Sequence, residues 1–231
     1  MWNNEYQAVS VDSVRDFMYK VYGWMSCALA ITAAVAFGIS SSQSAMSYIL
    51  GTPFLFIGLL ILQVITVVFL AARVKVQSYF SSVLAFLFYS ALSGVTFSVY
   101  FYMYTESSIY LTFAITAGMF LTMALYGHVT KSDLSSMHSY LMMGLFGVMI
   151  ATIANIFFQS PAVMYYISLV AVGIFTLLTA YNVQKIKQLA MMPTTDLEGK
   201  NKRAILGALT LYLDFVNLFI HLLQLFGKRK R

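Results

Sequence analysis

LGALTLYLDFVNLFIHLLQLF, Leu206 to Phe226, is the stretch that decides the fold. It is long enough to cross a bilayer, because about 20 helical residues span the roughly 30 Å of hydrocarbon. It carries an aspartate, Asp214, at its middle. At roughly 100° per residue, Gly207, Thr210, Asp214, Asn217 and His221 fall within one arc of about 80°. The rest of the surface is Leu, Phe, Val and Ile. A carboxylate in hydrocarbon costs at least a few kcal/mol, so it must face a bundle interior or a wet cavity. The pattern predicts a central C-terminal helix with the other helices packed around it. The alternative is an amphipathic helix lying flat on the membrane, for which this polar arc is narrow and weakly charged.

Composition points the same way. The 231 residues are 60% hydrophobic and 10% charged, against about 25% charged in a soluble domain. Mean hydropathy is +0.79. The fold class is therefore all-α and polytopic; the expected spans given below number seven transmembrane helices, so a central last helix would have six surrounding it. The net charge of +6 reports topology rather than a nucleic-acid partner, since no basic patch carries interleaved stacking aromatics. The single cysteine, Cys27, excludes an intrachain disulfide and reads as a small packing residue. A polar first 20 residues before a long apolar run predict a retained anchor helix rather than a cleaved signal peptide.

Three segments follow: an amphipathic, cytoplasmic lead-in (1–20), a membrane domain (21–227) and a basic tail (228–231). The expected spans are Val21–Ile39, Phe54–Ala72, Phe80–Tyr102, Ile109–Tyr126, Tyr140–Phe158, Ala162–Tyr181 and Leu206–Phe226. Pro53, Pro161 and Pro193 all fall in loops or at helix ends. Ser90, Gly94 and Ser98 form a small-residue face on the third span, and Gly144, Gly147 and Ala151 a similar one on the fifth. Thr152, Asn155 and Gln159 extend the fifth as a polar stripe, expected to hydrogen-bond between helices. His128 and His138 flank the 130–137 loop and are expected to be solvated.

Basic residues set the orientation. Arg15 and Lys20 precede the first span; Arg73 and Lys75 follow the second, Lys131 the fourth, and Lys185, Lys187, Lys200, Lys202 and Arg203 the sixth. Loops after spans one, three and five hold none, so the N-terminus is placed in the cytoplasm. The tail Lys228-Arg229-Lys230-Arg231 conflicts with this if seven helices cross. A re-entrant last segment would bring it inside; the length of that segment favours seven crossings.

The chemistry is narrow. Intramembrane aspartyl proteolysis needs two carboxylates sharing a proton, and only Asp214 lies mid-span. There is no HExxH, no GxSxG and no Cys/His set with metal spacing. The chain is thus not expected to be an enzyme or to hold a cofactor. A buried ionisable group in a polar core suits a proton- or cation-responsive channel, exchanger or sensor. The plainer alternative is a structural aspartate bonded to neighbouring helices. His221, on the same stripe, titrates near physiological pH when exposed, but reads here as a satisfied packing residue.

LGALTLYLDFVNLFIHLLQLFG (206–227) resembles the last helix of the Bax inhibitor-1 family, the transmembrane Bax inhibitor motif proteins, and is nearest to bacterial members. VYGWM (21–25), YSALSGVTFS (89–98), YGHVTKSDLSSM (126–137) and LTAYNVQKIK (178–187) agree. The resemblance covers the chain from about residue 18. It implies a bacterial cytoplasmic (inner) membrane location, a bilayer setting and a pH-sensitive calcium leak channel. Eukaryotic relatives are associated with lowering stored calcium and suppressing cell death, and some bacterial ones with modulating a membrane-bound AAA protease. The family's pore control is described as two aspartates, on helices six and seven, with an arginine after helix two latching the first. Carried over, these fall on Asn182, Asp214 and Arg73, with Lys75 as the alternative latch; a helix-two acidic position falls on Gln63. Asp214 would be the calcium ligand, and Thr210, Asn217, His221, Gln63 and Asn155 the polar pore stripe. Asn182 stands where relatives often carry aspartate. Asparagine hydrogen-bonds but does not titrate, so a coupled two-carboxylate titration reduces to one site. A non-conducting regulator of a membrane protease, or of another membrane protein, is the second expectation.

Overall fold

Residues 11–73, 77–192 and 196–230 are described by a computed structural model, without the side chains of Val11, Asp12, Pro53 and Arg73. The regular elements are helices: α1 (Val11–Ser40), α2 (Gln43–Gly51), α3 (Pro53–Arg73), α4 (Tyr79–Met103), α5 (Glu106–Val129), α6 (His138–Phe158), α7 (Pro161–Ala190) and α8 (Leu197–Phe226). A 3-10 turn, Leu134–Met137, precedes α6. Seven helices, all but α2, are long and apolar enough to cross a membrane. This gives the expected number of spans.

The differences lie at the ends. α1 runs through residue 20 without a break, because Val14, Phe17, Met18 and Val21 are buried at helical spacing. α7 continues past Tyr181 to Ala190, and α8 begins at Leu197. Hydropathy falls there while helical periodicity does not: Val183, Ile186 and Ala190 stay buried, as do Ala204 and Ile205. After α1 the chain turns at Ser41 and enters another helix. The Ser42 hydroxyl accepts from the Ala45 N–H and caps α2, a nine-residue helix that buries Met46 and Ile49.

The chain divides into two compact units, one of residues 1–102 and 186–212, the other of 103–185 and 213–231. In the first, small residues set the packing as the sequence predicts. Ser90, Gly94 and Ser98 are buried on α4, and a Cβ on Gly94 would lie 2.6 Å from the Val35 Cβ and 2.8 Å from the Thr32 carbonyl. Tyr212 of α8 is fully buried, edge-on to Phe86 and Tyr89, and 2.8 Å from the Thr32 hydroxyl. Thr32 has one proton, with the Ser90 and Ala28 carbonyls to receive it, so Tyr212 donates to Thr32.

In the second unit, Leu134, Leu141, Phe175, Leu178, Leu218 and Leu222 belong to one apolar core. A Cβ on Gly144 would meet Ile174, but one on Gly147 would meet nothing, so only the first half of that expected face packs closely. The α6 polar stripe does not bond between helices. The Thr152 hydroxyl donates to the Val148 carbonyl one turn back, Asn155 Oδ1 accepts from the Ser160 N–H, and Gln159 ends the helix at φ 48°. A helix end that must stop before Pro161 uses these groups as its cap. Two further expectations are corrected. His138 is half-buried with its ring 5.1 Å from that of Tyr181, and Cys27 lies on the exposed side of α1. The exposed faces of the spans are apolar, Phe54, Ile61, Val64 and Val68 on α3 among them, as hydrocarbon requires.

Candidate functional site: the buried carboxylate of the last helix

α8 is the most enclosed of the seven long helices: 72% of its apolar window is buried, against 11% for α3 and α6. Asp214 lies in it and is 4% exposed. Asn182 on α7 donates from Nδ2 to Asp214 Oδ2 at 2.8 Å. Two features of the second unit hold that turn of α7 in place. Gly127 on α5 lets the backbones approach until a Cβ would overlap the Ala180 carbonyl. Gln184 then clamps the loop before α6, donating to the Ser132 carbonyl at 2.8 Å and accepting from the Leu134 N–H at 2.9 Å. Among the described residues the site is thus a buried carboxylate with one neutral amide partner, on a turn held by a close backbone approach and by the Gln184 side chain.

The sequence profile described as "Inhibitor of apoptosis-promoting Bax1" matches residues 14–231. The chain belongs to the Bax inhibitor-1 family. It is 43% identical to an uncharacterized protein of Borreliella burgdorferi, over 93% of this chain and 92% of that one. It is 42% identical to the inner membrane protein YbhL of Escherichia coli K12, over 94% and 93%. An uncharacterized protein of Deinococcus radiodurans is 34% identical over 96% and 95%.

The remaining candidates of this Bax inhibitor-1 chain are distributed. On α8, Asn217 is half-buried and donates to the Leu213 carbonyl of its own helix at 2.7 Å. His221 is 8% exposed, stacked on Phe175 and 3.3 Å from the Ser168 hydroxyl on α7. Ser168 gives its proton to Gln224 Oε1 at 2.8 Å, so it accepts from an Nδ1–H tautomer of His221. This satisfied histidine is the packing role read from the sequence. Thr210, in the first unit, donates to the Leu206 carbonyl. Gln63, also in the first unit, donates to the Leu92 carbonyl and to the Thr96 hydroxyl at 3.0 and 2.9 Å. Asn155 serves the α6 cap. The Arg73 side chain and all of Lys75 lie outside the described residues.

Sequence reasoning missed Gln184, Ser168 and Tyr212. Gln184 carried a signal, since a glutamine two residues beyond Asn182 near a span end is polar without being needed for solubility. Ser168 and Tyr212 carried none: their partners are set by neighbours remote in sequence. Among the described residues, no three His, Cys, Asp or Glu side chains gather to hold a metal.

Proposed function

We propose that this Bax inhibitor-1 protein is a pH-responsive cation leak channel of a bacterial inner membrane, with calcium the expected ion, Asp214 its gate and α8 its axis. The observation carrying the proposal is the Asn182–Asp214 hydrogen bond. A lone buried carboxylate is costly, which marks it as a functional candidate, and its partner is a neutral amide that can release it without leaving a second charge behind. A cation passing this point would meet one anionic ligand and one amide oxygen. Calcium commonly takes six to eight oxygens, so such a site suits brief occupancy rather than storage. Nothing in the residues assigns catalysis.

Gln63 favours a second reading. It is neutral and donates to the Leu92 carbonyl and Thr96 hydroxyl; with Asn182 also neutral, both positions lack the acid that relatives can carry. On that reading the protein binds a membrane protease or another membrane protein and conducts nothing. Calcium flux into proteoliposomes between about pH 5 and 8 separates the two. Flux lost in Asp214→Asn supports the channel. No flux in the native protein, Asp214→Asn or Asn182→Asp, with a partner that co-purifies stoichiometrically, supports the regulator.

A further inference from the structure

The first unit contains a recess that the proposed gate does not use. α1 supplies Ser13 and Phe17, the end of α7 supplies Leu189 and Ala190, Met192 follows, and the start of α8 supplies Lys200 and Arg203. It is small, about 50 Å³, and opens to solvent. One wall is cationic. Lys200 Nζ donates to the Ser13 hydroxyl, and Arg203 is half-buried. Among the described residues no ion pair joins either cation to a carboxylate; Asp16 lies near Arg15 and Glu198 near Lys202, and the Asp196 carboxylate lies against Gly199. The other wall is Phe17, Leu189, Ala190 and Met192, with Met192 exposed at the rim (52%).

Position in the membrane narrows the ligand. The apolar runs read from the sequence begin at Val21 on α1 and Leu206 on α8 and end at Tyr181 on α7, so Phe17 and Arg203 stand about one helical turn, roughly 5 Å, beyond them. The recess therefore lies where three helices leave the hydrocarbon, at headgroup depth. Guanidinium and ammonium groups there attract phosphate, and an apolar wall beside them suits the glycerol and first acyl carbons of an amphiphile. A soluble anion would leave that wall unused.

We propose that this recess binds the phosphodiester headgroup of an anionic phospholipid, with Lys200 and Arg203 on the phosphate and Phe17, Leu189 and Met192 against the apolar part. The bound lipid joins α1, α7 and α8 at one end of the first unit.

The test uses the full chain, purified in detergent, titrated with phosphatidylglycerol, phosphatidylcholine or inorganic phosphate while thermal unfolding is followed. Phosphatidylglycerol should raise the Tm saturably and phosphatidylcholine should not. Lys200→Gln and Arg203→Gln should each weaken the apparent affinity roughly fivefold, while Lys131→Gln, in another loop, should not. Met192→Trp, which fills the recess from its exposed rim, should abolish the shift without removing a charge and covers the case in which a charge variant fails to fold. Saturable binding of inorganic phosphate alone, as tight as the lipid, would overturn the lipid in favour of a free phosphate. An equal shift with phosphatidylcholine, or one unchanged in all three recess variants, would overturn the site.

Discussion

Asn182 and Asp214 are the residues where the chemistry is decided. If Asp214 is ionised, the Asn182 amide donates to it; if it is protonated, its O–H can donate to the amide oxygen after a flip. The pair survives either state with one titrating group. Asn182→Asp should add a second ionisation, so that flux gains a steeper, two-step dependence on pH; a profile that matches the native protein would sink the gate assignment. Tyr212 offers a second measurement. Tyr212→Phe removes the proton given to Thr32 and should cost about 1 kcal/mol in denaturant unfolding in detergent micelles, since Thr32 keeps its carbonyl partner and the edge-on ring contacts remain. At this scale the sequence was legible only where a residue conflicted with its surroundings. Asp214 stands out because a charge in an apolar run has no ordinary use. Tyr212 and Ser168 are common residues in common places, and only the fold reveals their partners.

Helices were legible by number and less so by extent, for a physical reason. Hydropathy marks where hydrocarbon ends, whereas a helix ends where its backbone groups find other partners. α7 and α8 therefore overrun their expected limits through basic turns, and α2, too short to span, hid behind its serine cap. The crossing of α5 on α7 gives a prediction at this scale. Gly127→Ala would drive a methyl into the Ala180 carbonyl and should cost about 1–3 kcal/mol, with the Asn182–Asp214 pair displaced; Gly147→Ala, with open space around it, should cost little. The turn before α6 adds a pH effect. The Ser135 backbone N–H and hydroxyl hold the exposed Asp133 carboxyl below its ordinary range. Because that value is depressed on folding, the cap's contribution is present above the unfolded value of about 3.9 and is lost as pH falls through the lower folded one. Amide exchange at Ser135, corrected for its intrinsic rate, should be constant from neutral pH down to about pH 4 and should quicken only below it.

For the whole molecule, the question left by the charges is where the basic tail lies, and backbone hydrogen bonds of the second unit answer it relative to the loops. The Thr105 N–H donates to the Lys228 carbonyl at 2.9 Å, and the Lys230 N–H to the Met103 carbonyl at 2.8 Å. The Lys228 N–H donates to the Ser108 hydroxyl, and the Arg229 guanidinium lies 5.8 Å from the Tyr104 ring centroid. Gly227 permits the approach, since a Cβ there would lie 2.6 Å from the Tyr104 ring. The tail is thus strapped to the start of α5. The loop clamped by Gln184 lies at the other end of α5, 24 residues or about 36 Å away. Within the second unit the tail thus lies at the opposite end of α5 from the loop that carries Lys131, as expected of a last segment that crosses rather than re-enters. Orientation by basic residues predicts that loop in the cytoplasm and the tail outside. In a Cys27→Ala background, cysteines replacing Ser107 and Lys230 should react with a membrane-impermeant thiol reagent in intact cells, and one replacing Lys131 only after permeabilisation. Labelling of Lys230→Cys together with Lys131→Cys would contradict the strap. The reverse pattern, with Ser107→Cys and Lys230→Cys still paired, would keep the strap and invert the orientation, which would mean that the four tail charges outweigh the ten that precede them.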